Sequence, residues 1–246
     1  MKKLLVLVLA LACVFSFASC GEKTPYELYS NAVEALKEAE GFEFEMKTSY
    51  DITFGTEKQS DSITYIAKQN GNNFSFEAKD ADILPFESMT YVDGVFYVNA
   101  DGEKSKMTLN LDELQEKFKD LIPDTEDTLD LPELTEEDLK DVEITTEDGI
   151  SSFTVKLDKA DIAGLLGSIT DDLDLGEASE VNVELSISFD KKGNLEGFKF
   201  DIEMKLELPI IGEAGYAMEI EIDFKDFGKA PTISAPADAA DYVEQK

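Results

Sequence analysis

Three stretches in the last third of the chain alternate apolar and polar residues with a period of two. Each places a large apolar side chain at every second position: "VNVELSISFD", "FKFDIEMKLEL" and "YAMEIEIDF". Neighbouring side chains of a β-strand point to opposite faces of a sheet, so this period predicts strands with one apolar and one charged face. Because the turn-like segments "DKKGN" and "PIIGEAG" separate the three stretches, we predict an antiparallel meander with one face in the core.

The same period begins near the N-terminus. The stretch "FEFEMKTSYDITF" carries apolar residues on one face and charged residues on the other. Shorter strands are predicted in "SITYIAK", "NNFSFEAK" and "SMTYVDGVFYVNADGEKSKMTL", where "DG" and "NADGE" are typical of hairpin turns. In total, the pattern predicts about eight to ten strands, each with one apolar face.

A few short helices accompany the strands. The stretch "TPYE" at 24–27 is a capping box with proline in the first turn, and it predicts a helix that ends near Gly41. Three further short helices are predicted over residues 110–122, from about Thr135, and over 158–169.

The apolar face of such a sheet has to be buried against itself or against helices. The predicted helices are too short to form a full layer over a wide flat sheet. We therefore predict an α+β fold, in which a strongly curved antiparallel half-barrel sheet wraps around a few short helices.

The first residues have the layout of a secretory signal peptide. Two lysines precede the apolar run in "MKKLLVLVLALACV", and "FASC" resembles a bacterial lipobox that ends in Cys20. In this interpretation Cys20 becomes the lipidated N-terminus, and Cys13 is removed with the leader. The alternative is an ordinary signal peptide with an incidental cysteine.

The chain then divides into a signal peptide over 1–19, a lipidated cysteine and short tether over 20–24, and a single curved-sheet domain over 25–246. Four tether residues reach at most about 14 Å. Two or three acyl chains anchor a protein stably. We therefore expect a monomer held close to the extracytoplasmic face of a bacterial cell membrane.

The charged residues exclude several functions. The chain has a formal net charge of −32, all 22 of its basic residues are lysine, and it contains no His. Serine–histidine catalysis and imidazole metal ligands are therefore excluded. Nucleic acid would be repelled, because its binding depends on neutralising phosphates. We expect no cofactor and no resident metal.

The acidic residues carry two further hypotheses. The segment 120–148 is rich in carboxylates, which are suitable calcium ligands, but it lacks the spacing of an EF-hand; weak calcium binding stays open. Carboxylate pairs serve glycosidases, but here the acids mostly alternate along strands, and nothing singles out two of them. We expect no enzymatic activity.

Three features together resemble the LolA-like superfamily and, within it, the LppX/LprG-type lipoproteins. They are the lipobox, the helix-to-strand entry "TPYELYSNAVEALKEAEGFEFEMK", and the ending "DFKDFGKAPTISAP" after the run of strands, with Gly228 and Pro236 in its tail. The resemblance implies a half-barrel whose apolar cavity holds acyl chains, and a function in binding or carrying lipids. It contains no catalytic motif.

The apolar face of the sheet is the candidate ligand site. A curved sheet with large side chains inside encloses apolar volume, and the small residues of "AGLLG" leave room beside Leu165 and Leu166. The candidate cavity residues are Phe44, Met46, Leu165, Leu166, Phe200, Ile202, Met204, Met218, Ile220 and Ile222.

Three functions remain open at this point, of which an envelope hydrolase has the least support in the sequence. The first is a membrane-anchored lipoprotein that binds or carries a lipid or another hydrophobic ligand in that cavity. The alternative is a non-catalytic cell-envelope interaction or sensor domain, in which the same residues form a solid core.

Overall fold

The computed structural model describes residues 23–79, 86–118, 131–157, 178–208, 212–225 and 227–245. The predicted leader with Cys20 lies outside the described residues. So does the predicted helix 158–169 with Leu165 and Leu166.

Helix α1 spans Pro25–Glu38 and begins with the predicted capping box. The hydroxyl of Thr24 accepts a hydrogen bond from the backbone N–H of Glu27 at 3.2 Å, and the Glu27 carboxylate accepts one from the backbone N–H of Thr24 at 2.9 Å. The helix ends at Glu38, so Gly41 does not terminate it but is the first residue of the first strand.

Two short helices follow later in the chain. Helix α2 spans Leu111–Phe118, and its N-cap Asn110 exchanges two 2.9 Å hydrogen bonds with Glu113. Helix α3 spans Glu136–Leu139 and starts with a capping box at Thr135. Both starts confirm the sequence prediction. Among the described residues, no helix combines the length and the apolar character that crossing a membrane needs.

The strands form one sheet of twelve. They are β1 Gly41–Phe54, β2 Glu57–Asn70, β3 Asn73–Ala78, β4 Ser88–Val92, β5 Val95–Ala100, β6 Glu103–Thr108, β7 Thr145–Glu147, β8 Ile150–Leu157, β9 Ala178–Phe189, β10 Leu195–Leu208, β11 Gly212–Lys225 and β12 Val243–Glu244. Their order is β12-β6-β5-β4-β3-β2-β1-β11-β10-β9-β8-β7.

The sheet consists of two meanders joined in the middle. Strands β1 to β6 form one and β7 to β11 the other, and the antiparallel pairing of β1 with β11 joins them. In this pairing Phe44 lies opposite Phe224, and Tyr50 lies opposite Met218. Among the strands of the described residues, only β12 pairs in parallel, against β6. Two-residue Asp-Gly turns with positive φ connect some of the hairpins, as at Asp101 and Gly102, and confirm the predicted turn at "NADGE".

Along β1, β10 and β11, apolar and charged side chains separate to opposite faces, as the alternation predicts. We call these the apolar face and the polar face. Along β10 and β11, the charged residues of the polar face alternate with the core residues, and none of them is buried: Asp201, Glu203, Lys205, Glu219, Glu221 and Asp223. A one-residue slip of register would bury several of these charges, so the alternation fixes the register.

The apolar face carries two cores. The large core covers β8 to β11 and the first part of β1, and α1 and α3 also contribute to it. The small core lies on β3 to β6 beneath α2, whose Leu114 is fully buried. The apolar face of the sheet is thus covered at two places, by α1 and α3 over the large core and by α2 over the small core.

The sequence prediction of eight to ten strands was too low. Strand β2 begins at Glu57, because the polar stretch "EKQSD" pairs with the last residues of β1. Strands β7 and β12 have three and two residues and carry no alternation. The structure has a large, mostly antiparallel sheet with few helices. The half-barrel curvature stays a prediction.

The C-terminal segment crosses the polar face of the first meander. The side-chain amide of Asn70 donates to the carbonyl of Pro231 at 2.8 Å. Lys104 pairs with Asp238, and the ring of Tyr242 packs edge-on against Tyr97. These contacts bring β12 to the edge of the sheet beside β6.

Candidate functional site

Helix α1 has one broad apolar face. Leu28, Tyr29 and Ala32 are buried in the large core. Tyr26, Val33 and Leu36 form a second, half-buried stripe of the same face and also pack against this core. Part of the apolar face of α1 is therefore incompletely covered.

A short segment lies opposite this second stripe. It runs from Leu131 to Thr135 and leads into α3. Leu134 and Leu139 hold it against the large core, since both side chains are buried. The hydroxyl of Tyr29 donates a hydrogen bond to the backbone carbonyl of Pro132, which fixes the segment to α1.

The space between helix and segment is a groove of about 880 Å³, which we call the α1 groove. Ligand pockets in proteins commonly have volumes of about 300–1,000 Å³. The residues that line the groove are Tyr26, Tyr29, Ser30, Val33, Glu34, Leu36, Lys37, Glu38, Leu131, Pro132, Glu133, Leu134 and Thr135.

Apolar and charged residues occupy different parts of the α1 groove. The apolar lining residues are buried or half-buried, whereas all the charged ones are exposed: Glu34, Lys37, Glu38 and Glu133. The groove therefore has an apolar interior and a charged rim. This arrangement suits a ligand with an apolar body and a polar end.

The predicted cavity residues lie in the large core, beneath α1. Six of them are 1–8% exposed: Phe44, Phe200, Ile202, Met204, Met218 and Ile222. Met46 and Ile220 are half-buried and pack against the same core. None of these eight lines the α1 groove. Their contact with a ligand stays a prediction.

Aromatic rings fill much of this core. Phe42, Phe44, Phe198, Phe224 and Phe227 form a chain of ring contacts with centroids 5.0–6.3 Å apart. Such distances are typical of packed aromatic pairs. At this end of the sheet the apolar face is therefore a filled core.

A second cavity, of about 600 Å³, lies on the polar face along β11. The small residues Gly215 and Ala217 form its base. Charged side chains border it, and its two lysines are already paired, Lys58 with Asp51 at 3.0 Å and Lys205 with Glu180. Its lining mixes polar and apolar groups, as that of the α1 groove does, but it is the smaller of the two cavities.

Two neighbouring carboxyl groups on the polar face have pKa values shifted in opposite directions. Partial desolvation of its carboxyl group by neighbouring strands, followed by the charge of Glu45, raises the pKa of Asp223, whereas a hydrogen bond from Lys79 lowers the pKa of Glu45. Such divergence occurs in acid–base catalysis. The hollow beside Asp223 measures only about 130 Å³, which is too small for a substrate. Within the described ranges, no group of three Cys, Asp or Glu residues is placed to hold a metal ion.

No protein-family model and no curated protein matches the chain. Several solved structures, in contrast, are similar to it. A LolA superfamily protein from Nitrosomonas europaea is 10% identical, with 80% of this chain and 93% of that chain covered and a TM-score of 0.24. A domain from Vibrio parahaemolyticus, described as outer membrane lipoprotein-sorting, is 11% identical with the same coverage and a TM-score of 0.20.

A lipovitellin structure is also similar, at 7% identity and a TM-score of 0.31, over 80% of this chain and 26% of that one. The LolA superfamily, which the sequence resembles, is thus represented among the structural matches. Because each of these TM-scores is below 0.5, the proposals below rest on the geometry of the chain itself.

Proposed function

We propose that this protein is a membrane-anchored extracytoplasmic lipoprotein that binds a lipid or another hydrophobic ligand in the α1 groove. The observation that carries the proposal is the groove itself, about 880 Å³ with an apolar interior and a charged rim.

The size of the hydrophobic effect makes such binding feasible. Each buried methylene contributes about 0.8 kcal/mol, so ten of them contribute about 8 kcal/mol before the cost of association. A dissociation constant of 1 μM corresponds to about 8 kcal/mol. Association costs at least about 4 kcal/mol, so an acyl chain has to bury about fifteen methylenes to reach micromolar affinity without contacts to its headgroup.

The position of the groove in the chain supports a ligand drawn from the membrane. Helix α1 begins at Pro25, five residues after Cys20. A helix of 14 residues is about 21 Å long, and the tether adds at most about 14 Å. With a lipid on Cys20, the whole length of the groove stays within about 35 Å of the anchor.

We propose that the protein acts without catalysis. The chain contains no histidine, and the charged residues of β10 and β11 lie on the polar face, away from the α1 groove. The ligand would be held and released unchanged.

One observation favours the alternative of a solid-core interaction or sensor domain. The residues predicted to line a cavity on the sheet are packed into the large core. In that alternative the α1 groove receives no acyl ligand, so the two proposals differ in what the groove binds.

Photo-crosslinking tests the proposal directly. The lipidated protein, held in phosphatidylcholine nanodiscs, is exposed to a palmitoyl glycerol probe that carries a diazirine on its acyl chain. We expect saturable crosslinks that map to peptides of α1. Crosslinks scattered over the protein, or none, would favour the solid-core alternative.

A matched pair of variants locates the binding site. Ser30 lines the α1 groove, whereas its neighbour Asn31 is exposed and does not. Ser30→Trp places an indole in the groove and should reduce crosslinking at least fivefold, while Asn31→Trp should leave it unchanged. Circular dichroism checks that both variants keep the native secondary structure.

A further inference from the structure

The rim of the α1 groove is acidic. Its charged side chains are the carboxylates of Glu34, Glu38 and Glu133 and a single ammonium group, that of Lys37. All four are exposed, so they surround the opening where the polar end of a bound lipid would lie.

The molecule as a whole is also strongly acidic, so its overall charge repels anionic headgroups as well. The formal net charge is −32, and the chain contains no arginine that could clamp a phosphate or a carboxylate. At physiological salt the Debye length is about 8 Å, so the charges at the rim act on a headgroup while more distant charges are mostly screened. The local carboxylates therefore decide which headgroups are tolerated.

The charged groups of the rim are mostly hydrogen-bond acceptors, while the hydroxyls of Tyr26 and Ser30 in the lining both donate and accept. Ionised carboxylates only accept hydrogen bonds, and Lys37 is the one charged donor in the groove lining. The hydroxyl of Thr135 already accepts from the backbone N–H of Asp138 and donates to its carboxylate. The rim is thus complementary to a headgroup that donates.

We propose that the α1 groove selects acyl lipids whose headgroup carries hydrogen-bond donors and no net negative charge. Lipids with an amine and lipids with sugar or glycerol hydroxyls share this chemistry. Free fatty acids and anionic phospholipids are disfavoured. The inference rests on the proposed binding of acyl chains in the same groove and adds the headgroup class.

Four crosslinking probes with one acyl chain separate charge from hydrogen bonding. They carry a primary ammonium, a glycerol, a trimethylammonium or a carboxylate headgroup on the same diazirine-labelled palmitoyl chain. With the lipidated protein in phosphatidylcholine nanodiscs at 0.15 M salt, we expect the ammonium probe to label α1 best and the carboxylate probe about tenfold less.

The other two probes report the contribution of donors. The glycerol probe should exceed the carboxylate probe, and the ammonium probe should exceed the trimethylammonium probe, which has the same charge but no donor. In 1 M salt the Debye length falls to about 3 Å, so the difference due to charge should shrink while the difference due to donors persists.

Variants identify the rim as the cause. The triple substitution Glu34→Gln, Glu38→Gln and Glu133→Gln should abolish the preference for ammonium over carboxylate. A control triple at exposed glutamates outside the groove, Glu57→Gln, Glu103→Gln and Glu147→Gln, changes the net charge equally and should preserve it. Lys37→Gln makes the rim more acidic and should increase the preference about two- to threefold.

The failures of the two proposals are distinguishable. If no probe labels α1 saturably, the proposed function itself is wrong. If all four probes label α1 equally, or if the control triple changes the preference as much as the rim triple does, the acyl-binding function stands and the headgroup selection is overturned.

Discussion

The hydroxyl of Tyr29 donates a hydrogen bond to the backbone carbonyl of Pro132, across 103 positions of the sequence. It joins the two walls of the α1 groove, because Tyr29 lies on α1 and Pro132 on the segment opposite. Tyr29 is 3% exposed, so this contact is shielded from water. A single side chain thus couples the packing of α1 on the large core to the shape of the groove.

Tyr29→Phe should lower the free energy of unfolding by about 1–3 kcal/mol, because the buried carbonyl of Pro132 loses its donor. Urea unfolding measures the loss. The half-buried Tyr26, which lines the same groove, provides the control, and Tyr26→Phe should cost less than about 0.5 kcal/mol. Equal effects of the two substitutions would show that the Tyr29 hydrogen bond does not hold the segment.

Two glycines of neighbouring strands differ in the space around them. A Cβ on Gly197 would lie 2.4 Å from the carbonyl oxygen of Ile222, whereas the nearest atom to one on Gly215 is the Cβ of Thr53 at 3.7 Å. Gly197 also follows a register shift between β9 and β10.

Gly197→Ala should therefore destabilise the protein by about 1–3 kcal/mol, since a backbone atom has to move. Gly215→Ala should be neutral or should stabilise by up to about 1 kcal/mol, because it restricts the unfolded chain without a clash. Thermal unfolding of both variants compares them. A loss at Gly215 as large as that at Gly197 would contradict the close packing of β10 on β11.

Much of the fold is predictable from the sequence because it depends on local rules. The capping boxes at Thr24 and Asn110 each bring their partners together within three residues. Strands β9, β10 and β11 follow from an alternation that continues for nine or more residues. Charged residues could be assigned to the polar face for the same reason.

The α1 groove was not predictable in this way. One wall, from Leu131 to Thr135, is a proline-interrupted segment with no period, and its position depends on contacts with Tyr29 and the large core. The second apolar stripe of α1 is visible in the sequence, at Tyr26 and Val33, but a stripe on a helix is most simply assigned to the core. Which part of the apolar face of α1 stays only half-covered is a tertiary property.

The pairing of β1 with β11 is likewise a long-range property. Phe44 and Phe224 are opposite each other although 180 positions separate them, and no local pattern names the partner of a strand. The start of β2 was not predicted because its residues are polar. They belong to a strand only because they pair with β1. The order of the strands in the sheet was therefore not predictable from the sequence.

The carboxyl group of Asp223 gives a prediction about pH. Partial desolvation and the neighbouring Glu45 raise the pKa of Asp223 above its ordinary value of 3.8, so the native state binds this proton more tightly than the unfolded state does. Ionised Asp223 therefore lowers stability at neutral pH, and the penalty disappears as the pH falls below the ordinary value.

Asp223→Asn should raise the melting temperature at pH 7, and the gain should vanish near pH 3. Asp201→Asn is the control, because it removes the same charge from the same face but breaks an ion pair with Lys199, whose nitrogen is 3.0 Å away. The control should not raise the melting temperature. A similar rise in both variants would attribute the effect to net charge alone.

The predicted lipid anchor at Cys20 can be tested by mutation, with the other cysteine of the chain, Cys13, as the control. Lipid on Cys20 places α1 a few residues from the membrane, whereas Cys13 lies in the apolar run that processing removes. Cys20→Ala should therefore leave an unprocessed precursor without an acylated N-terminal peptide, as mass spectrometry of the membrane and soluble fractions would detect. Cys13→Ala should be processed and acylated like the wild type. Normal acylation of the Cys20→Ala variant would remove the anchor from the proposed function, and with it the argument that the α1 groove draws its ligand from the membrane beside it.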